Sequence, residues 1–155
     1  MSQILAGVPL QLKDGREVDA GTHLNNKIVV LYFSASWCRP CRSFTPLLKE
    51  FYDTMQHLNK EIEVVLVSRD YMRFQLQDYY EKHGCSWAIM PLWHEKVKEL
   101  FDVYNVKELP TCRVITDDGT CIVQNARQEV EEFSHKQRRP EELYAKWRQI
   151  ATVHC

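Results

Sequence analysis

Two stretches of the chain place apolar residues on consecutive positions instead of alternating them with polar ones: Ile28 to Phe33 and Ile62 to Val67. A run apolar on both faces, rich in β-branched and aromatic side chains, predicts a central strand covered on both sides. Between them the period changes. From Arg39 to Leu58, the residues Phe44, Leu47, Leu48, Phe51, Met55 and Leu58 recur on one face, which predicts a long amphipathic helix bent at the internal Pro46. Tyr71 to His83 reads as a second helix, closed by Gly84 as its C-terminal cap, and His94 to Tyr104 as a third. Pro140 suits position N1 of a final helix whose buried stripe is Leu143, Trp147 and Ile150.

Shorter pieces fill the gaps. Ile4 to Leu12 suggests one or two short strands around Pro9, ended by the Asp14-Gly15 turn. Val18 to Asn26 reads as a polar loop with a helical turn, Leu24 being its core contact, and Trp87 to Leu92 as a short extended piece. Cys112 to Thr116 and Thr120 to Gln124 form a hairpin around Asp117-Asp118-Gly119, while Glu129 to Gln137 is too charged to assign. Parallel strands joined by right-handed helical crossovers, plus an antiparallel edge pair, imply a three-layer α/β/α sandwich with a mixed central sheet. No repeat or linker divides the 155 residues, so a single domain is expected over 1–155.

Where the first buried strand gives way to the long helix stand Trp37-Cys38-Arg39-Pro40-Cys41. Two cysteines three positions apart at such a junction make a dithiol site. Cys38 falls at the helix N-terminus, where unpaired N–H groups and the macrodipole favour a thiolate. Cys41 lies one turn further in, shielded and close enough to close a disulfide. Cys38 is therefore the candidate nucleophile on a substrate disulfide, and Cys41 the thiol that resolves the mixed disulfide. Pro40 lacks an N–H that the first turn would leave unpaired anyway. Arg39 and Arg42 bring positive charge to the dithiol, though Arg42 reads better as a solvated arginine. Trp37 is placed as a partly exposed apolar wall beside Cys38, against the alternative of a core tryptophan. Trp87 and Trp93 read as packing residues, with Trp87 in reach of the site.

Two blander readings compete. A structural zinc needs further ligands, but Cys85, Cys112, Cys121 and Cys155 are isolated and no His pair stands at ligand spacing. An inert disulfide closing so short a loop would stabilise little. In neither hairpin register do Cys112 and Cys121 face each other, and Cys112 reads as a small core residue. Cys155 is terminal.

The run Tyr32-Phe33-Ser34-Ala35-Ser36-Trp37-Cys38-Arg39-Pro40-Cys41-Arg42-Ser43-Phe44-Thr45-Pro46 resembles the active-site segment of the tryparedoxin and nucleoredoxin branch of the thioredoxin superfamily. The likeness continues through Phe51-Tyr52, Pro91-Leu92, Tyr104-Asn105-Val106 and Leu109-Pro110-Thr111, and covers nearly the whole chain. The resemblance implies a thioredoxin-like fold and disulfide exchange. It also implies a cis-proline at Leu109-Pro110, facing the dithiol, with backbone offered to an extended substrate segment. The alternative there is an ordinary trans proline opening an edge strand. Three sites depart from related patterns. Tyr32 stands where related thioredoxins carry a buried acid, a departure shared with tryparedoxins that leaves the proton acceptor for Cys41 unidentified. Arg39 stands where this branch usually has proline, and Arg69-Asp70-Tyr71 where tryparedoxins have Trp-Asp-Glu. The surface expected to meet trypanothione is thus not kept, although Ala126-Arg127 resembles the matching arginine segment, and trypanothione is not the expected reductant.

Charge narrows the function further. Twenty basic and 21 acidic residues give a net charge of −1, so there is no electrostatic case for nucleic acid. Neither a signal-peptide pattern nor an apolar run of membrane length is present, which points away from membranes and to a cytoplasmic or nuclear address. There the six cysteines would be mostly reduced. Lys136-Gln137-Arg138-Arg139 is a nuclear-import candidate that reads better as a solvated loop. The expectation is a monomeric thiol–disulfide oxidoreductase that reduces protein disulfides, draws electrons from an external thiol or reductase, and needs no metal or organic cofactor. The alternative is a redox-sensitive signalling adaptor of nucleoredoxin type with little turnover. A thiol peroxidase finds no Thr-x-x-Cys with a supporting arginine.

Overall fold

A computed structural model describes residues 4–153, leaving Cys155 outside the described residues. In chain order the elements are β1 (Pro9–Gln11), β2 (Glu17–Asp19), α1 (Ala20–His23), β3 (Ile28–Ser34), α2 (Arg39–His57), β4 (Ile62–Ser68) and α3 (Arg73–Lys82). There follow β5 (Ala88–Ile89), α4 (Glu95–Val103), β6 (Thr111–Ile115), β7 (Cys121–Val123), α5 (Ala126–His135) and α6 (Pro140–Val153). The seven strands make one mixed sheet in the order β2-β1-β5-β4-β3-β6-β7.

The two unalternating runs are its centre. Every residue of β3 and β4 is buried, and the two pair in parallel from Ile28 opposite Ile62 to Ser34 opposite Ser68. On its other edge β3 meets β6 antiparallel, Tyr32 opposite Cys112. Because side chains alternate across a strand, Ile28, Val30 and Tyr32 enter one core with Phe44, Leu48 and Phe51 of α2 and Trp147 of α6. Val29, Leu31 and Phe33 enter the opposite core with Leu24, Leu100 and Phe101. The expected three layers are therefore present, with α2, α3, α5 and α6 on one face and α1 and α4 on the other. Among the described residues no helix is long and apolar enough to cross a membrane.

Several local expectations need correction. Leu58 lies just past the end of α2 and is exposed. Trp93, expected to pack, is exposed on a loop with φ 67°. Val18 and Asp19, at the start of the segment expected to be loop, belong to β2, which hydrogen-bonds along β1 with only Val18 to turn inward. The charged segment after β7 is a helix, α5. Its buried Glu129 accepts the indole N–H of Trp147 at 3.0 Å and pairs with Lys146, so a carboxylate takes part in docking α6. As expected, Gly84 ends α3, at φ 66°. Cys121 lies opposite Ile115, leaving both it and Cys112 unbridged.

Glu129→Ala would strand the buried indole N–H. We expect a loss of about 1–3 kcal/mol in urea unfolding, against about 0.5 kcal/mol or less for the exposed Glu132→Ala.

Candidate active site

The site is built where β3 runs out. After Ser34 the chain turns through Ala35, Ser36 and Trp37, and Cys38 is the N-cap of α2, with extended backbone at φ −86° and ψ 111°. At an N-cap a side-chain acceptor normally takes one of the first free amides. Here the acceptor is sulfur: Cys38 Sγ receives the Cys41 N–H at 3.3 Å. Cys38 and Cys41 are joined as a disulfide, their Cα atoms 5.2 Å apart. Exposure separates the two, Cys38 at 7% and Cys41 at 0%.

The turn carrying Trp37 and Cys38 is gripped through Ser36. Asp70, buried just beyond the end of β4, accepts the Ser36 N–H at 3.0 Å and the Ser36 hydroxyl, and takes a third bond from the Ser68 hydroxyl at 2.7 Å. From the other side Arg42 Nη1 donates to the Ser36 carbonyl at 3.0 Å. Arg42, expected to be merely solvated, thus fastens the turn while remaining exposed. In the sequence Asp70 stands out only as the middle of Arg69-Asp70-Tyr71, the one position of that segment that agrees with the tryparedoxin Trp-Asp-Glu. The signal for its role was its place, a charged residue at the carboxyl end of a buried parallel strand, where α/β proteins build their sites.

Beneath Cys41 lies a cage of hydroxyls. The Thr45 hydroxyl donates to the Cys41 carbonyl at 2.9 Å and lies 2.6 Å from both the Tyr32 and the Tyr79 phenol oxygens. Tyr79 in turn lies 2.9 Å from Ser34 Oγ. With the Thr45 proton committed to the carbonyl, both phenols donate to Thr45 and Ser34 donates to Tyr79, which satisfies every member. Burial, with Tyr79 beside it, pushes the Tyr32 phenol far above its ordinary value. Tyr32 is therefore neutral and takes no proton from Cys41. The cage holds the backbone of the buried thiol, and none of its hydroxyls is a base near neutral pH.

Facing the dithiol is the loop ahead of β6. The Leu109–Pro110 peptide bond is cis, and Leu109 packs on Ala35, Cys38 and Cys41. Arg127 Nη1 of α5 donates to the Pro110 carbonyl at 3.4 Å, tying this loop to the helix behind it. A groove of about 730 Å³ runs across the site, lined by Trp37, Cys38, Arg39, Pro40, Arg69 and Leu109 among others. Cys41 lies below its floor. Trp37 is half-exposed and stacks on Tyr71 with ring centroids 6.4 Å apart, so it is a wall and not a core residue. Trp87 does not reach the groove. It is fully buried, edge-on to Tyr32 and Tyr52.

The other described cysteines are poor nucleophiles. Burial pushes the Cys85 thiol up to about 12 and the Cys112 thiol higher still, and raises the half-buried Cys121 as well.

The comparisons agree with this geometry. A family model described as thioredoxin-like matches residues 25–121. Tryparedoxin of Trypanosoma brucei brucei is 41% identical over 124 residues, which is 79% of this chain and 83% of that protein. Nucleoredoxin of Mus musculus is 31% identical over 129 residues, 83% of this chain but 29% of its own length, so the chain spans less than a third of that relative. Among solved structures, thioredoxin from Wuchereria bancrofti superposes with a TM-score of 0.76 at 34% identity, covering 95% of this chain and 98% of that one.

Once the disulfide is reduced, iodoacetamide at neutral pH should label Cys38 well before Cys41, Cys85 or Cys112. Mass-spectrometric mapping of the earliest adduct checks the order, and Cys85 or Cys41 labelled first would contradict it.

Proposed function

Starting from a chain that belongs to the thioredoxin-like family, in its tryparedoxin and nucleoredoxin branch, we propose that it reduces disulfides of proteins, with Cys38 as nucleophile and Cys41 as resolving thiol. The observation that carries this reading is the unequal placement of two bonded cysteines: one sulfur at the groove and on a helix amide, the other below it.

The chemistry follows from that placement. Cys38 thiolate attacks one sulfur of the substrate disulfide, breaking the substrate S–S bond and forming a mixed disulfide, and the departing thiolate takes a proton from solvent. Cys41 then gives up its proton and attacks Cys38 Sγ. The Cys38–Cys41 disulfide forms, the second substrate thiol leaves, and two electrons have passed to the substrate. An external thiol or reductase returns the site to the dithiol. Leu109 lines the groove beside the sulfurs, with Pro110 buried behind it, and the loop backbone there would receive an extended segment of the substrate. Arg39 replaces a helix-first-turn proline with a cation at the groove, which favours the thiolate.

A binding protein whose affinity follows the oxidation state of the same pair is the competing account, and one experiment separates them. Cys41→Ser should react once and accumulate dithiothreitol-sensitive adducts with insulin, while the wild type turns insulin over with excess dithiol. Cys38→Ser and the double variant should do neither, since the thiols act in sequence on one path. No turnover by wild type above free dithiol, together with no adduct on Cys41→Ser, would overturn the enzyme reading.

A further inference from the structure

Large apolar side chains are left in solvent on one side of the dithiol. Trp37 is 51% exposed, Tyr71 70%, Met72 47% and Phe74 67%. They belong to two segments that the fold brings together, the turn after β3 and the start of α3, and the Trp37–Tyr71 stack joins them. Trp37 lines the groove over Cys38, whereas Ser36 beside it lines a second groove that runs along Arg73, Phe74 and Gln77 of α3. The apolar ridge therefore continues directly from the dithiol groove onto the face of α3. A monomer gains nothing by holding four such groups in water, and a small disulfide seated at Cys38 would cover only Trp37.

Charge around the ridge is also uneven. Arg39, Arg69 and Lys107 line the dithiol groove and Arg73 flanks Phe74; none of these four forms an ion pair among the described residues, although the Arg69 guanidinium lies over the Phe101 ring, 4.0 Å from its centroid. Of the acids in the dithiol groove, Asp102 is taken up by Lys98 at 2.9 Å, which leaves Glu108. Asp78 and Glu81 lie further along α3.

We propose that Met72 and Phe74, with the Trp37–Tyr71 stack, form a docking surface for the polypeptide on one side of the substrate's cysteine, selecting protein disulfides whose cysteine is flanked by an apolar residue and an acidic one. This rests on the oxidoreductase reading above and gives it a substrate class. The apolar side chain covers Met72 and Phe74, and the carboxylate meets the unpaired cations at the groove. Binding energy gained away from the sulfurs lowers KM without a change in the chemical step.

The test compares three disulfides: a peptide dimer with leucine and glutamate flanking its cysteine, the same peptide with serine and lysine, and oxidised glutathione. Wild type should show a KM about tenfold lower for the first peptide than for the second. Met72→Ser,Phe74→Ser should shrink that difference to the part the charges carry, well below tenfold, and leave the rate with oxidised glutathione unchanged; a variant that keeps the full tenfold difference would overturn the apolar docking surface. Both positions are exposed, and serine is a preferred N-cap residue at position 72, so folding is not put at risk. Equal KM values for the two peptides in wild type, or an equal loss of rate with glutathione in the variant, would overturn the docking surface while the enzyme reading stands. A wild-type dimer in sedimentation that the variant turns into monomer would assign the ridge to a second copy, again overturning it. Failure to reduce any of the three disulfides would instead strike at the oxidoreductase reading itself.

Discussion

A backbone amide pointed at a sulfur is the contact on which the site depends. The Cys41 N–H that α2 leaves free in its first turn is given to Cys38 Sγ, and that bond does two things at once. It caps a helix that would otherwise carry an unpaired donor, and it places the Cys38 sulfur at the positive end of the helix. Much of the surrounding structure keeps this geometry in place. β3, buried on both faces and paired on both edges, fixes where the turn begins. Asp70 and Arg42 hold the turn through Ser36 from opposite sides. The hydroxyls of Thr45, Tyr32 and Tyr79 hold the Cys41 carbonyl from below.

The hydroxyl cage has a chemical consequence. A carboxylate buried under Cys41 would be a ready proton acceptor, and a buried phenol is not. In the proposed mechanism the proton of Cys41 therefore leaves by another way, to water or to the departing substrate sulfur. The cage in exchange is fully hydrogen-bonded and uncharged, so it carries none of the desolvation cost of a buried ion. The buried carboxylate beside the turn, Asp70, has its oxygens engaged by Ser36 and Ser68.

How much of this was legible in the chain depends on what each element is made of. β3, β4 and α2 announce themselves because burial there is apolar and follows a period. The dithiol is legible because Cys38 and Cys41 sit where the period changes. What escapes such reading is burial by polar groups and pairing by backbone. α5 hides behind Glu129, a charge spent on the Trp147 indole. β2 is three residues held mainly by main-chain bonds to β1. Asp70 looks like any surface acid until β3 and β4 are aligned in parallel and end together at Ser34 and Ser68. The exposed pair Trp93 and Leu58 errs the other way, since apolar character alone does not bury a residue that lies beyond the end of its element.

The central claim is that electrons reach a substrate disulfide from this pair of cysteines and from no other. A single-turnover experiment reads it directly. Fully reduced protein is mixed with one equivalent of a protein disulfide, quenched in acid, alkylated and mapped by mass spectrometry. The account predicts one substrate disulfide reduced for each Cys38–Cys41 disulfide formed, with Cys85, Cys112 and Cys121 recovered as thiols. Substrate reduced while Cys38 and Cys41 remain thiols, or oxidation appearing at the other cysteines instead, would contradict it.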